Sequence, residues 1–110
     1  MQKSAQGLTD KALSVWQRDE INALLDVGPV GLYEFIWALN GSYVDLDRER
    51  AVNISRDTLA GLIDDNVHLT KLIWPTNEVQ QNECGQVTEL DSSAWDDPEK
   101  DRPYFAVAYL

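Results

Sequence analysis

Apolar residues recur at helical spacing over the first two thirds of the chain, which predicts three or four helices. Residues 8–26 are predicted to be helical in two pieces, the first capped by Thr9 and the second by Asp19. A further helix is predicted from Pro29 to Asn40, with proline at its first position. The apolar stripe of that helix consists of Leu32, Phe35, Ile36 and Leu39.

Two aromatic residues, Tyr33 and Trp37, flank this stripe and are expected to widen it. After a connection, Asp47 is predicted to cap a short helix and Ser55 a second one, which runs to about residue 65. The inward residues of that last helix are predicted to be Leu59, Leu62 and Ile63.

The hydrophobic period changes from 3.6 to 2 at Val67, as is typical of β-strands. The predicted segments are a strand over 67–74, a turn-like stretch over 76–85, a short strand over 86–90, an acidic loop over 91–103 and a last strand over 104–110. Helices followed by two or three antiparallel strands predict an α+β domain with a small antiparallel sheet. The order of these elements resembles a winged-helix arrangement, and residues 1–110 are expected to form one domain.

The charge balance changes the functional picture, since 19 acidic residues stand against 9 basic ones and the net charge is -10. A field of this sign repels phosphate backbones and anionic lipids, so neither nucleic acid nor a membrane is an expected partner. A basic protein partner is favoured; the alternative is that acidity only keeps the protein soluble. The chain shows no apolar run of membrane-spanning length and no signal peptide, so we expect it in the cytoplasm.

The acidic residues are concentrated near the end of the chain, and residues 78–110 hold 8 acids and 2 bases. Six acids and one lysine surround Trp95 within residues 89–101. The Trp95 ring either anchors this loop to the core or projects as an interface hot spot. The predicted partner-binding residues are Asp91, Trp95, Asp96, Asp97, Glu99 and Asp101, with Asp64 and Asp65 as a second patch.

Motifs for catalysis, metals or cofactors are not found in the sequence. Cys84 is the only cysteine, and His68 has no recognisable nucleophile beside it. The six glycines are scattered and form no phosphate-binding loop. We therefore expect a protein that is not an enzyme and has no metal or cofactor, while a small hydrolase remains a minor alternative. The oligomeric state is left open.

A winged-helix regulator or adaptor is the main alternative to a protein-binding module. Its recognition helix would be the predicted helix that begins at Ser55, where acids outnumber bases three to one. A helix that reads base edges usually offers arginine, lysine, asparagine or glutamine instead. The residues available for phosphate contacts are Arg48, Arg50 and Arg56.

Three stretches resemble small bacterial proteins that are found beside polymorphic toxins. Residues 30–37 (VGLYEFIW) are similar to a "gLwEvvw" helix of these proteins, and residues 59–69 resemble their unit of a helix, an acidic or glycine-containing turn and a strand. Residues 95–98 (WDDP) resemble their tryptophan–proline loop. The resemblance covers roughly residues 28–110 and implies an immunity protein, of the kind found in contact-dependent growth inhibition. Such proteins neutralise a cognate toxin by tight binding, and many of these toxins are nucleases with basic clefts.

Overall fold

The computed structural model describes residues 4–63, 67–81 and 90–109 of the chain. These ranges contain three α-helices: α1 (Asp10–Leu25), α2 (Leu32–Ser42) and α3 (Arg48–Ile63). They also contain four strands: β1 (Val30–Gly31), β2 (Val67–Ile73), β3 (Glu78–Gln81) and β4 (Pro103–Tyr109). A short 3-10 turn, Ser92–Trp95, precedes β4.

The four strands form one antiparallel sheet in the order β1-β4-β2-β3. Val107 of β4 lies opposite Leu69 of β2 on one side and Val30 of β1 on the other. The predicted α+β fold with N-terminal helices is confirmed. A short strand between the first two helices, paired with the last strand, gives the chain the element order of a winged helix.

The first and third helices are each continuous, where two pieces were predicted for each region. Thr9 caps α1 as predicted, because its hydroxyl accepts a hydrogen bond from the Ala12 amide at 3.1 Å. Asp47 caps the whole of α3, accepting from the Arg50 amide at 2.7 Å. The predicted caps at Asp19 and Ser55 are wrong, since both residues lie inside helices.

One buried polar contact explains both errors. Gln17 and Ser55 are fully buried, and Gln17 Nε2 donates to Ser55 Oγ at 2.9 Å and to the Phe35 carbonyl at 3.0 Å. These hydrogen bonds satisfy the amide nitrogen of Gln17 at a position that faces the core, whereas Gln17 Oε1 is buried with no partner among the described residues. A polar residue in the middle of a buried stripe interrupts the apolar pattern, so each helix looked like two.

The second helix begins at Leu32 instead of Pro29, because Val30 and Gly31 pair with β4. Gly31 is required by close packing, since a Cβ added there would lie 2.3 Å from Tyr33 Cε1. The Gly31 amide donates to Glu34 Oε2 at 2.7 Å, which caps the start of α2. The predicted apolar stripe of α2 is buried, as are Leu59 and Leu62 of α3.

The strands differ from prediction mainly at the edges of the sheet. β2 and β4 match their predicted segments within one residue at each described end, apart from residue 110, which lies outside the described residues. β3 was predicted as a turn, and its exposed edge position explains its polar composition. Of the short strand predicted over 86–90, only Leu90 is described, and it is buried.

Candidate functional site: an acidic loop held on the helices

The predicted loop over 91–103 ends where β4 begins at Pro103, and its part from Asp91 to Asp101, from here on called the acidic loop, is anchored to the core by Trp95. This side chain is 1% exposed and packs edge-on against Phe35 of α2, with ring centroids 5.6 Å apart. Of the two roles predicted for Trp95, the structure shows the anchor. Its neighbours in the loop therefore present the surface, and Trp95 itself offers no area to a partner.

Asp91 caps the 3-10 turn that carries Trp95 inward. Its carboxylate accepts hydrogen bonds from the Ser93 hydroxyl and, at 3.0 Å, from the Ser93 amide. These bonds, the hydroxyl first, lower the pKa of Asp91, and the nearby Arg56 charge acts in the same direction. Asp91 is therefore both exposed and ionised at neutral pH.

Asp96 ties the acidic loop to α3 through Arg48. Arg48 Nη2 lies 2.5 Å from Asp96 Oδ1 and 3.0 Å from the Ser92 carbonyl, to which it also donates. Both side chains of the ion pair are about half exposed, so the pair contributes at most about 1 kcal/mol to stability. Its main effect is to fix the direction of the loop.

Asp97 ties the same loop to α2. Its Oδ1 atom accepts a hydrogen bond from Trp37 Nε1 at 2.8 Å. Trp37 is 56% exposed, so the expectation that it widens the buried stripe of α2 is wrong. The exposed tryptophan beside the acidic residues is therefore Trp37, whereas Trp95 is the buried one.

The far end of the loop is fixed by main-chain hydrogen bonds to the end of β2. The Asp101 amide donates to the Trp74 carbonyl at 2.8 Å, and the Trp74 amide donates to the Arg102 carbonyl at 3.1 Å. Asp101 has a positive φ of 62°, which aspartate tolerates better than most residues. The carboxylates of Glu99 and Asp101 are exposed at this end.

Four of the five loop carboxylates border one groove of about 500 Å³. They are Asp91, Asp96, Asp97 and Glu99. The groove also contains two cations, Lys71 and Arg102, and the Lys71 ammonium lies 5.2 Å from the centre of the Phe105 ring. The structure thus brings together most of the predicted cluster, on a surface that is acidic overall but not uniformly so. The second predicted patch, Asp64 and Asp65, lies outside the described residues.

A row of three aromatic rings that was not predicted from the sequence reaches this groove at Tyr104. The rings of Trp37 and Tyr33 are 4.9 Å apart, and those of Tyr33 and Tyr104 are 5.9 Å apart, both edge-to-face. Tyr104 also lines the groove. The exposure of Trp37 could have been predicted from its position on the helix. At 100° per residue it lies roughly 140° around the helix from Leu32, well outside the apolar stripe.

The electrostatics of the aromatic row are consistent with its acidic surroundings. Burial, then the charges of Glu34 and Asp97, raise the pKa of Tyr33. Burial, then Tyr33 and Glu34, raise the pKa of Tyr104 to about 12, and its hydroxyl donates to Asn77 Oδ1 at 2.7 Å. Both tyrosines therefore remain neutral hydrogen-bonding groups at physiological pH.

The three arginines considered for phosphate contacts all have partners within the protein. Arg48 binds the acidic loop, as described above. Arg50 donates to Asp10 Oδ1 at 2.8 Å and to the Leu8 carbonyl at 2.9 Å. Arg56 Nη1 donates to the Leu90 carbonyl at 2.6 Å. A nucleic acid would have to compete for each of them.

Comparisons with protein-family models, curated proteins and solved structures find no match for this chain. Within residues 4–63, 67–81 and 90–109, three or more His, Cys, Asp or Glu side chains nowhere gather in a metal-binding arrangement. In the same ranges, helices long and apolar enough to cross a bilayer do not occur.

Proposed function

We propose that this protein is a non-enzymatic binding module, an immunity protein that caps the basic cleft of a toxin domain. The acidic loop would supply carboxylates to lysine and arginine side chains of the toxin. We further propose that the toxin is a nuclease, whose basic cleft suits the net charge of -10, and that the complex forms in the cytoplasm.

The observation that carries this proposal is the way in which the loop is held. Trp95 anchors it in the core, Arg48 holds Asp96, and Trp37 holds Asp97. Because these contacts restrict the loop before any partner arrives, little conformational entropy is lost on binding. Exposed carboxylates on a restricted loop also accelerate association with a cationic partner.

A winged-helix regulator is the second candidate, and the element order of the chain favours it. Fold alone does not determine function, however. The internal contacts of Arg48, Arg50 and Arg56 and the acidity of the chain both support the protein-binding proposal instead. The regulator predicts duplex binding that weakens steeply with added salt.

The two candidates can be separated with neutral variants that keep side-chain shape. The site variant carries Asp96→Asn, Asp97→Asn, Glu99→Gln and Asp101→Asn. The control variant carries Asp19→Asn, Glu20→Gln, Glu49→Gln and Glu78→Gln, all exposed residues outside the loop. Both variants change the net charge equally, so a difference between them reports the location of the charges.

Binding is measured by calorimetry against the toxin domain encoded by the neighbouring gene. We expect the site variant to bind about 100-fold more weakly or worse, and the control variant to stay within about threefold of the unmodified protein. Equal effects from the two variants would overturn the site. Tight, salt-dependent binding to duplex DNA, together with no binding to the toxin domain, would favour the regulator.

A further inference from the structure

Trp37 combines high exposure with a fixed orientation. It is 56% exposed, whereas Trp16 and Trp74 are half-buried and Trp95 is buried. Its indole is held at one end by the hydrogen bond to Asp97, and the Tyr33 ring packs nearly perpendicular to it with the ring centroids 4.9 Å apart. A large aromatic group that is exposed and already held loses little entropy when a partner contacts it, as is typical of interface anchors.

The surroundings of Trp37 select the chemistry of what binds there. The only cation that lies over an aromatic ring in the described ranges is Lys71, which covers Phe105, so the indole face of Trp37 is not occupied by a cation of this region. Asp97 accepts the indole hydrogen bond with Oδ1, and among the described residues its second oxygen has no hydrogen-bond donor. The Tyr33 ring beside the indole, and the Tyr104 ring beyond it, extend the aromatic surface at this position.

We propose that Trp37 and Asp97 form a subsite for an arginine side chain of the basic protein partner. The guanidinium would stack on the indole and donate a hydrogen bond to the second oxygen of Asp97. Arginine is favoured over lysine because its planar group stacks and forms directed hydrogen bonds at the same time. This inference rests on the proposed function, and it names the side chain that the surface selects.

The test compares nona-arginine with nona-lysine, two peptides of equal charge, by calorimetry at low salt. A cation–π contact of about 1 kcal/mol corresponds to about a fivefold difference in dissociation constant. We therefore expect the unmodified protein to bind nona-arginine about fivefold more tightly than nona-lysine. Trp37→Leu should reduce this preference to below about twofold.

The matched control is Tyr109→Leu, which removes an exposed aromatic ring at the end of β4 that lies opposite Tyr104 along the strand. It should leave the arginine preference unchanged. The indole N–H resonance of Trp37, assigned with Trp37→Phe, should shift more with nona-arginine than with nona-lysine. An unaltered preference in Trp37→Leu, or no preference in the unmodified protein, would overturn the subsite. The subsite would also be overturned if the unmodified protein were an oligomer and Trp37→Leu converted it to a monomer, because Trp37 would then contact a second copy of the chain.

The subsite and the proposed function fail in different ways. If the site variant loses the toxin domain while Trp37→Leu keeps its arginine preference, the subsite is wrong and the immunity function stands. If Trp37→Leu loses the preference while the unmodified protein does not bind the toxin domain, the arginine subsite stands and the immunity function is wrong.

Discussion

Replacing Trp95 with alanine tests whether this residue is an anchor. A tryptophan side chain buries about 150–250 Å². At about 25 cal/mol per Å² this corresponds to roughly 4–6 kcal/mol, an upper estimate because the unfolded chain already buries some of the area. Trp95 is 1% exposed and packs on Phe35, so the alanine variant loses most of this buried contact and leaves either a cavity or newly exposed apolar surface. We expect Trp95→Ala to lower the free energy of unfolding by about 4 kcal/mol.

Trp95→Phe should be much milder, because a smaller ring can keep the edge contact with Phe35. Trp95 Nε1 is also buried with no hydrogen-bond partner among the described residues, and phenylalanine removes that unpaired donor. We expect a loss of about 1–2 kcal/mol for this variant.

Urea unfolding followed by far-ultraviolet circular dichroism measures both variants without relying on tryptophan fluorescence. A loss of about 4 kcal/mol lowers the melting temperature by roughly 15–30 °C in a domain of this size. Trp37→Ala, at an exposed tryptophan, is the control and should cost less than about 1 kcal/mol. If Trp95→Ala costs less than about 1 kcal/mol yet abolishes toxin binding, Trp95 is an interface residue and the anchor is refuted.

Three further predictions concern polar groups. Gln17→Ala should lower the free energy of unfolding by about 2–4 kcal/mol in urea, because it removes two buried hydrogen bonds and leaves Ser55 Oγ with fewer partners; a loss within error would contradict this. The Ala5 amide, and after it a serine hydroxyl, donates a hydrogen bond to the Asp45 carboxylate and lowers the pKa of Asp45. The ionised carboxylate therefore stabilises the N-terminal segment fully above the ordinary pKa of 3.8. This stabilisation is lost as the pH falls through the lower pKa of the folded protein. The Ala5 amide resonance should titrate below pH 3.8, and Asp45→Asn should remove this transition; a midpoint at 3.8 or above would refute it. The pKa of Tyr104 is raised to about 12, so phenolate absorbance should show a tyrosine that ionises well above the ordinary pKa of 10. The protein should lose stability as the pH rises from about 10 toward 12, because the unfolded chain ionises this phenol more readily. Titration of all four tyrosines near pH 10 would contradict this prediction.

The sequence predicted the fold where residues follow a simple pattern. The stripe of α2 and the cap at Thr9 depend on spacing and local chemistry, and both were found. The splits within α1 and α3 were wrong because Asp19 and Ser55 lie inside continuous helices, and Ser55 is accommodated there by a hydrogen bond from Gln17, 38 residues away, which no local window contains. β1 has two residues, too few to show a period, and it exists because β4 pairs with it.

The candidate site was also predicted only where it depends on local sequence. Composition located the acidic loop, because charge density is a local property of the sequence. The burial of Trp95 was one of two predicted alternatives, whereas the exposure of Trp37 was not predicted. Trp95 is buried by Phe35, while Trp37 is held at the surface by Asp97, 60 residues away. Which ring a loop buries and which it borders is decided by tertiary packing.

The dissociation constant of the neighbour-encoded toxin domain, measured for the site variant and the control variant under the same conditions, tests the central claim most directly. If the acidic loop binds the toxin, the site variant has a dissociation constant about 30-fold or more above that of the control variant. A ratio near one would show that the location of the neutralised carboxylates does not matter, and it would contradict the assignment of the binding surface to this loop.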